Sequence, residues 1–579
     1  MIRPLRTIRV RESTGDAAAL PAEINPVLRR VLLGRGVSSA AELSLDLGDM
    51  QGPAQLQGVD RAAEMLADAV CSDQKILIVG DFDADGATGT ALAVLSLQSM
   101  GAARVGFRVP NRFEFGYGLT PALVETLSAD PPDVLVTVDS GISCLEGVEK
   151  ARGLGCQVIV TDHHLPGKRL PAANAIVNPN QPGDRFPSKA LAGVGVMFYL
   201  LGMIRSVLRN RGWFGPGRAE PNLAQFLDLV ALGTVADLVP LDHNNRVLVR
   251  QGLERIRCAR TRPGVMALLR LGKRDYRHVN AADLGFVVGP RLNAAGRLED
   301  MSAGIRCLLS SDPDEAGRLA AELDELNRRR RNMQEQMQQQ AMQQADRLLG
   351  QLAADSSDSA LCLFDETWHQ GIVGLVASRV KDVVRRPVIA FAPESEGADI
   401  LKGSARSVRG LHIRDVLACV QANQPGLMHA FGGHAMAAGL TLPRAGLVSF
   451  EAALTNAVES VLDGAQLTDE IETDGSLAAS ELNLTTATAL EQAGPWGQRF
   501  PEPLFDDAFD VIDQRVVGGS HLKMIVCKPG GGEELDAIAF NRLPEDLPPS
   551  GPVRMLYRLG INRWRGRESC QLMVEDLLV

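Results

Sequence analysis

Between residues 60 and 164, short apolar runs alternate with helical segments, and the runs end in polar residues. KILIVGD closes on Asp81, DVLVTVDSG on Asp139-Ser140-Gly141, and CQVIVTDHH on Asp162-His163-His164. RAAEMLADAV, GATGTALAVLSLQSM, TPALVETLSA and SCLEGVEKARGLG read as the intervening helices, and ARVGFRVP as a further strand. A strand apolar along its whole length must be covered on both faces, and helices between successive strands supply that cover. The pattern therefore predicts a parallel α/β sheet. Ligands of such sheets bind beyond the carboxyl ends of the strands, which is where these acids and imidazoles fall.

At 579 residues the chain is too long for one core and predicts about three to four domains. Residues 1–55 are a mixed N-terminal segment punctuated by Pro21, Pro26 and Pro53. The parallel α/β domain is placed at 56–311. The stretch 312–350 has no proline, and no glycine between Gly317 and Gly350, and reads as a polar connecting helix. Its arginines 328–331 read as a solvated face. A second α/β domain follows at 351–464. From 465 to 579 short strands between Gly, Pro and Asn turns predict a small antiparallel barrel.

Nine dispersed cysteines without a C-x-x-C pair argue against a disulfide framework or zinc ribbon and for thiols in a reducing cytoplasm. No apolar run reaches the roughly 18 residues of a membrane helix, and the first residues lack the apolar core of a signal peptide. The expectation is a cytoplasmic protein with no membrane partner. A net charge of −10 and 4% aromatics weigh mildly against nucleic acid, so any DNA would be held in a local basic channel, with steep salt dependence.

DFDADG sets Asp81, Asp83 and Asp85 on alternate residues just after a strand. Carboxylates packed this closely repel one another, and a cation is the expected compensation. An EF-hand is excluded because position 92 is Leu where a bidentate Glu is required. Asp139, Asp162-His163-His164 and Asp237 in ALGTVADLVP add carboxylate and imidazole donors. Without cysteine among them, the set suits Mn²⁺ or Mg²⁺. Two such ions promote phosphoryl transfer, and Arg291 and Arg297 in PRLNAAGR are available for phosphate oxygens. Gly193-Val194-Gly195 lacks the third glycine of a dinucleotide loop. Trp496, Phe500 and Phe505 read as packing at a domain junction, and His521 and Lys523 as DNA-backbone contacts on the barrel.

Taken in order, VGDFDADG, VTVDSG, TDHH and GTVADLVP resemble the four motifs of the DHH phosphoesterase superfamily. GPRLNAAGR (289–297), WHQGIVGLVASR (368–379) and FGGHAMAAG (431–439) narrow the resemblance to its single-stranded-DNA exonucleases, built of DHH, DHHA1 and OB-fold domains. The resemblance implies a 5′→3′ exonuclease releasing mononucleotides in recombination and repair. It also implies a monomer acting on single-stranded DNA beside a single-strand-binding protein and a helicase. By motif position Asp81, Asp83, Asp139, His163 and Asp237 would be metal ligands, with Asp139 bridging two ions. His164 would face the scissile phosphate, and Arg291, Asn293 and Arg297 the phosphate or nucleotide. His369, Ser404, Arg406 and Gly432-Gly433-His434 would form a substrate-facing wall, while Asp85 and Asp162 would support the ligands from behind. Two relatives compete: phosphodiesterases of short oligoribonucleotides or cyclic dinucleotides, disfavoured by the extra barrel, and a non-catalytic helicase subunit, disfavoured by the intact motifs.

Related inorganic pyrophosphatases carry a His four residues before the first motif aspartate, where this chain has Leu77. One ion would thus lose a protein ligand and bind more weakly. Calorimetric titration of Mn²⁺ into metal-free protein should resolve two unequal sites; two equally tight ones would refute this.

Overall fold

The computed structural model describes residues 6–13, 15–351, 360–462, 469–547 and 551–578. The chain divides into two units, Val10–Glu325 with Thr473–Val579, and Leu326–Glu472 with Met1–Arg9.

In the first unit, strands β1 (Ile76–Gly80), β2 (Val105–Arg108), β3 (Val134–Val138), β4 (Gln157–Thr161) and β5 (Ala175–Val177) form one sheet in the order β2-β1-β3-β4-β5. All its pairings are parallel. The apolar runs are consumed as predicted: Ile78, Val136 and Ile159 are fully buried. Leu77, Val79, Leu135 and Val160 pack under Leu123 and Val148 from the covering helices and Leu119 from the loop before one of them. The register pairs Gly80 with Val138 and Val138 with Thr161. Asp81, Asp139 and Asp162 therefore leave three adjacent strands at the same level.

Helix α1 (Ala84–Ser99) starts from Asp83, whose carboxylate accepts the Gly86 amide at 3.0 Å. It is small-residue-rich and buried nearly all round, which lets α2 (Gly193–Asn210) and α3 (Leu227–Ala236) approach it closely. The C-terminal strands β11 (Phe505–Val517), β12 (His521–Cys527), β13 (Leu535–Ala539), β14 (Val553–Trp564) and β15 (Arg567–Leu578) close into a barrel. Only β13 and β15 pair in parallel, the closure of an OB-fold.

The N-terminal segment contributes to this barrel's core. Its helix Pro26–Leu33 is capped by Asn25 and buries Val27 and Val31 against Leu477, Phe505 and Phe509. Just beyond it, Arg35, whose side chain is fully buried, pairs with Asp474 at 2.5 Å and donates to the Pro501 carbonyl.

In the second unit, β6 (Leu361–Phe364), β7 (Val388–Pro393), β8 (Ile400–Arg406), β9 (Ala430–Gly433) and β10 (Ala437–Pro443) form a mixed sheet, β9-β10-β8-β7-β6. Its core gathers Ile389, Phe391, Leu417, Val420 and Phe450. The predicted polar helix is a single element, Pro313–Gln351.

Removing the cation of a buried pair strands its partner in low dielectric. Arg35→Ala should therefore lower the unfolding free energy by about 3–5 kcal/mol, and a double replacement by apolar residues should restore much of it. Urea denaturation measures both.

Candidate metal centre and active site

The acids after β1 sit on a loop that is clamped from outside. The Asn293 side-chain oxygen accepts the Ala84 amide at 2.8 Å. Its helix, Gly289–Leu298, approaches so closely that a Cβ on Gly296 would lie 1.7 Å from the Phe82 carbonyl oxygen. Asp139, beyond β3, has φ +60, a left-handed conformation that a non-glycine residue adopts only under local constraint. The two histidines are held by the carbonyls they expose: Asn180 donates to that of His163 at 2.6 Å and Asn178 to that of His164 at 2.9 Å.

His163 Nε2 lies 3.0 Å from Asp139 Oδ1 and 3.5 Å from Asp237 Oδ2. Three donor sets each fit within 4.8 Å: Asp81, Asp83 and Asp139; Asp139, His163 and His164; and Asp85, His163 and Asp237. Asp139 is common to the first two and His163 to the last two. The fold thus gathers all six of the residues proposed from sequence as ligands or as the phosphate-facing histidine.

The acids divide into two kinds. Asp162 accepts the amides of Ile142, His163 and His164 and the His164 ring at 2.8 Å. Burial pushes its carboxyl up, but these bonds and the His164 charge outweigh burial and hold it below the usual range. Asp85 accepts the amides of Gly193 at 2.6 Å and Val194 at 2.9 Å, yet burial and then Asp83 still raise it to about 7. Asp81, Asp139 and Asp237 are driven well above the carboxylate range, by burial first, then by Asp83 at Asp81 and by Asp85 and Asp83 at Asp139 and Asp237. Such crowding is what a divalent cation relieves, and an oxygen-rich set with one or two imidazoles and no thiolate fits Mn²⁺ or Mg²⁺. His164 is raised to about 9: burial opposes its charge, but Asp162, Asp237 and Asp81 outweigh that.

The helix Gly289–Leu298 separates its polar residues by face. Asn293 and Arg297, four apart, share one side, while Arg291 lies a little over half a turn round. Arg291 is buried, donating to Asp324 at 2.8 Å and to the Val287 carbonyl at 2.6 Å. The expectation that it holds a phosphate is corrected: it is an internal strut. Asn293 spends its side-chain oxygen on the Ala84 amide.

The second unit makes a corner of its own. Ser404 pairs with Gly439, Arg406 with Ala437, and Gly432 and Gly433 with Gly439 and Ala438. Arg406 donates to Ser404 Oγ at 3.0 Å, and a Cβ on Gly374 would strike both. Gly433 has φ +145, and the His434 amide closes the hairpin on the Ala437 carbonyl. His369 accepts the Gly371 amide at the start of the same helix as Gly374.

Two residues escaped the sequence reading. Tyr117 donates to the Asp139 carbonyl at 3.2 Å and lies 3.5 Å from His164 Nδ1. Arg112 stacks 4.3 Å above the Phe82 ring, and burial lowers its pKa against the pull of Asp81 and Asp83. Both lie in PNRFEFGYGL, after β2. A loop at the carboxyl end of a parallel strand was the available signal, but β2 does not end in an acid.

Comparison with known proteins agrees with this architecture. Residues 75–234 match the DHH family N-terminal domain, 357–463 the DHHA1 domain and 473–576 the RecJ OB domain. The fold and site thus define a DHH phosphoesterase with DHHA1 and OB domains. The chain is 50% identical over 570 residues to the single-stranded-DNA-specific exonuclease RecJ of Escherichia coli, covering 98% of each. The crystal structure of Thermus thermophilus RecJ with Mn²⁺ superimposes with a TM-score of 0.78 at 29% identity, over 99% of this chain and 80% of that one. Its Mg²⁺ complex gives 0.73 at 28% identity, over 98% and 78%. The chain belongs to the RecJ family of single-stranded-DNA-specific exonucleases.

Asn293→Ala should leave the helix folded but free the Ala84 amide and loosen the acidic loop. Loss of such a supporting bond lowers metal affinity about 10-fold or more, which Mn²⁺ calorimetry reads directly.

Proposed function

We propose that this chain hydrolyses single-stranded DNA from its 5′ end, releasing mononucleotides, at a centre that holds two Mn²⁺ or Mg²⁺ ions. The observation that carries the reading is the sharing of Asp139 between two donor sets at adjacent strand ends, in a chain of the RecJ family.

Asp81, Asp83, Asp139, His163 and Asp237 would hold the ions, with Asp139 shared between the two donor sets. Bound there, the ions would supply a hydroxide nucleophile at neutral pH and screen the charge growing on the phosphate. His164, oriented by Asp162 and kept charged, donates a hydrogen bond to a non-bridging phosphate oxygen. Arg112 and Arg297 offer guanidinium forks to the terminal phosphate, and Tyr117 supports Asp139 and His164 from the side. His369, Ser404, Arg406, Gly432, Gly433 and His434 contact the substrate from the DHHA1 domain. Arg406 suits that role because its near partners are neutral oxygens. His521 and Lys523 on the barrel steer the incoming strand, although Lys523 is partly engaged by Asp536 at 3.2 Å.

Among the described residues no helix is long and apolar enough to cross a membrane. A monomer working in the cytoplasm, in recombination and repair beside a single-strand-binding protein and a helicase, fits the family's activity.

The decisive assay uses Mn²⁺ or Mg²⁺ with single strands labelled at either end, duplex DNA, and short RNA. Immediate release of label from the 5′ end of single-stranded DNA is expected. A preference for RNA of two to about five nucleotides would place the chain with the oligoribonucleotide phosphodiesterases of the superfamily instead. Asp139→Ala should abolish cleavage with an unchanged circular dichroism spectrum; surviving cleavage would remove Asp139 from its bridging role.

A further inference from the structure

The Gly193-Val194-Gly195 triplet is no nucleotide loop, and its placement gives it another role. It is the first turn of α2, and its first two amides are the ones that hold Asp85. A helix N-terminus favours an anion through its unpaired N–H groups and its dipole. Here the anion is the third acid of DFDADG, so α2 and the acidic loop are locked together through one carboxylate.

The same turn touches the other ligand-bearing segments. A Cβ on Gly193 would lie 2.5 Å from Asp139 Cβ and 2.8 Å from both its Cγ and Oδ1. The bare backbone of residue 193 is therefore the surface on which the Asp139 side chain rests. Gly233, on the helix that ends at Asp237, is equally tight: its Cβ would fall 2.7 Å from Val194 Cγ1 and 2.8 Å from Asp85 Oδ1. Gly195 differs. A Cβ there would meet only the Leu191 side chain, at 3.1 Å or more.

We propose that Gly193 and the α2 start it opens are the positioning element of the metal centre, setting the spacing of Asp139 relative to the DFDADG loop and to Asp237. The proposal rests on the metal-centre reading above. Neither Gly193 nor Val194 touches an ion or substrate; both act through Asp85 and Asp139. An added methyl at 193 displaces the Asp139 carboxylate from the point shared by the two donor sets, while the fold has only a local shift to absorb. The same methyl at 195 meets the buried Leu191 side chain at 3.1 Å, a tight contact that a shift of a few tenths of an ångström relieves without touching a ligand, and it favours helix.

The test compares wild type, Gly193→Ala and Gly195→Ala as full-length proteins. Each is titrated with Mn²⁺ by calorimetry and assayed on single-stranded DNA across Mn²⁺ concentrations, with folding checked by circular dichroism and thermal melting. Gly193→Ala should bind Mn²⁺ about 10-fold to 100-fold more weakly, the range for lost support behind a ligand. Its half-saturating Mn²⁺ should rise, with much of the rate regained at high Mn²⁺, and Gly195→Ala should match wild type. A folded Gly193→Ala with wild-type Mn²⁺ affinity overturns the proposal, as does an equal loss in Gly195→Ala. If Gly193→Ala does not fold, Asp85→Asn replaces it, since it keeps the shape but turns one acceptor toward α2 into a donor; unchanged Mn²⁺ affinity there is likewise fatal. Wild type that binds no Mn²⁺ would sink the metal-centre reading itself, a separate outcome.

Discussion

Repulsion among buried carboxylates is the constraint from which the rest of this structure follows. The parallel register brings Gly80, Val138 and Thr161 level, so the acids that follow them emerge side by side where water is scarce. Low dielectric makes each bare charge expensive and each neighbouring charge worse. The fold answers in two ways. Asp162 and Asp85 receive backbone N–H donors and become fixed anchors, while Asp81, Asp139 and Asp237 would be left to a cation. This division separates residues that shape the site from residues that would hold metal.

Holding such a cluster in place requires close approach, and small residues permit it. Helix Gly289–Leu298 presses on the acidic loop at Gly296, and α2 meets Asp139 at Gly193. A side chain at either position would separate the elements by more than hydrogen bonds such as Asn293 to Ala84 can span. The strained backbone of Asp139 belongs to the same economy of space, since it survives only where surrounding contacts over-determine it. Far from the site, the barrel is tied to the N-terminal segment by shared core residues and by the buried Arg35–Asp474 pair.

Much of this was legible in the chain. Continuous apolar runs ending in acids announced a parallel sheet and located its chemical edge, because burial on both faces leaves no other home for such strands. The donor types argued against structural zinc and favoured hard divalent ions, and the ordered motifs pointed to the superfamily. Local pattern could not say which face of a helix looks inward. Arg291 and Arg297 sit in one motif, yet only tertiary packing sends the first to Asp324 and leaves the second on the side of Asn293. Arg112 and Tyr117 were invisible because their loop follows a strand, Val105–Arg108, that does not end in an acid.

What the sequence determined by itself is the chemistry on offer: acids and imidazoles at strand ends, in an order that marks a family. Tertiary structure decided which of those groups are tied to backbone donors from distant elements. Asp85 and Asp81 are the same residue type four positions apart, and no local rule distinguishes them. The difference is that α2, more than a hundred residues later, places two amides against Asp85, while Asp81 receives only the amide of its own neighbour Phe82. Hydrogen-bond donors delivered across such distances are set by packing, and packing is what makes one aspartate of a run unlike the next.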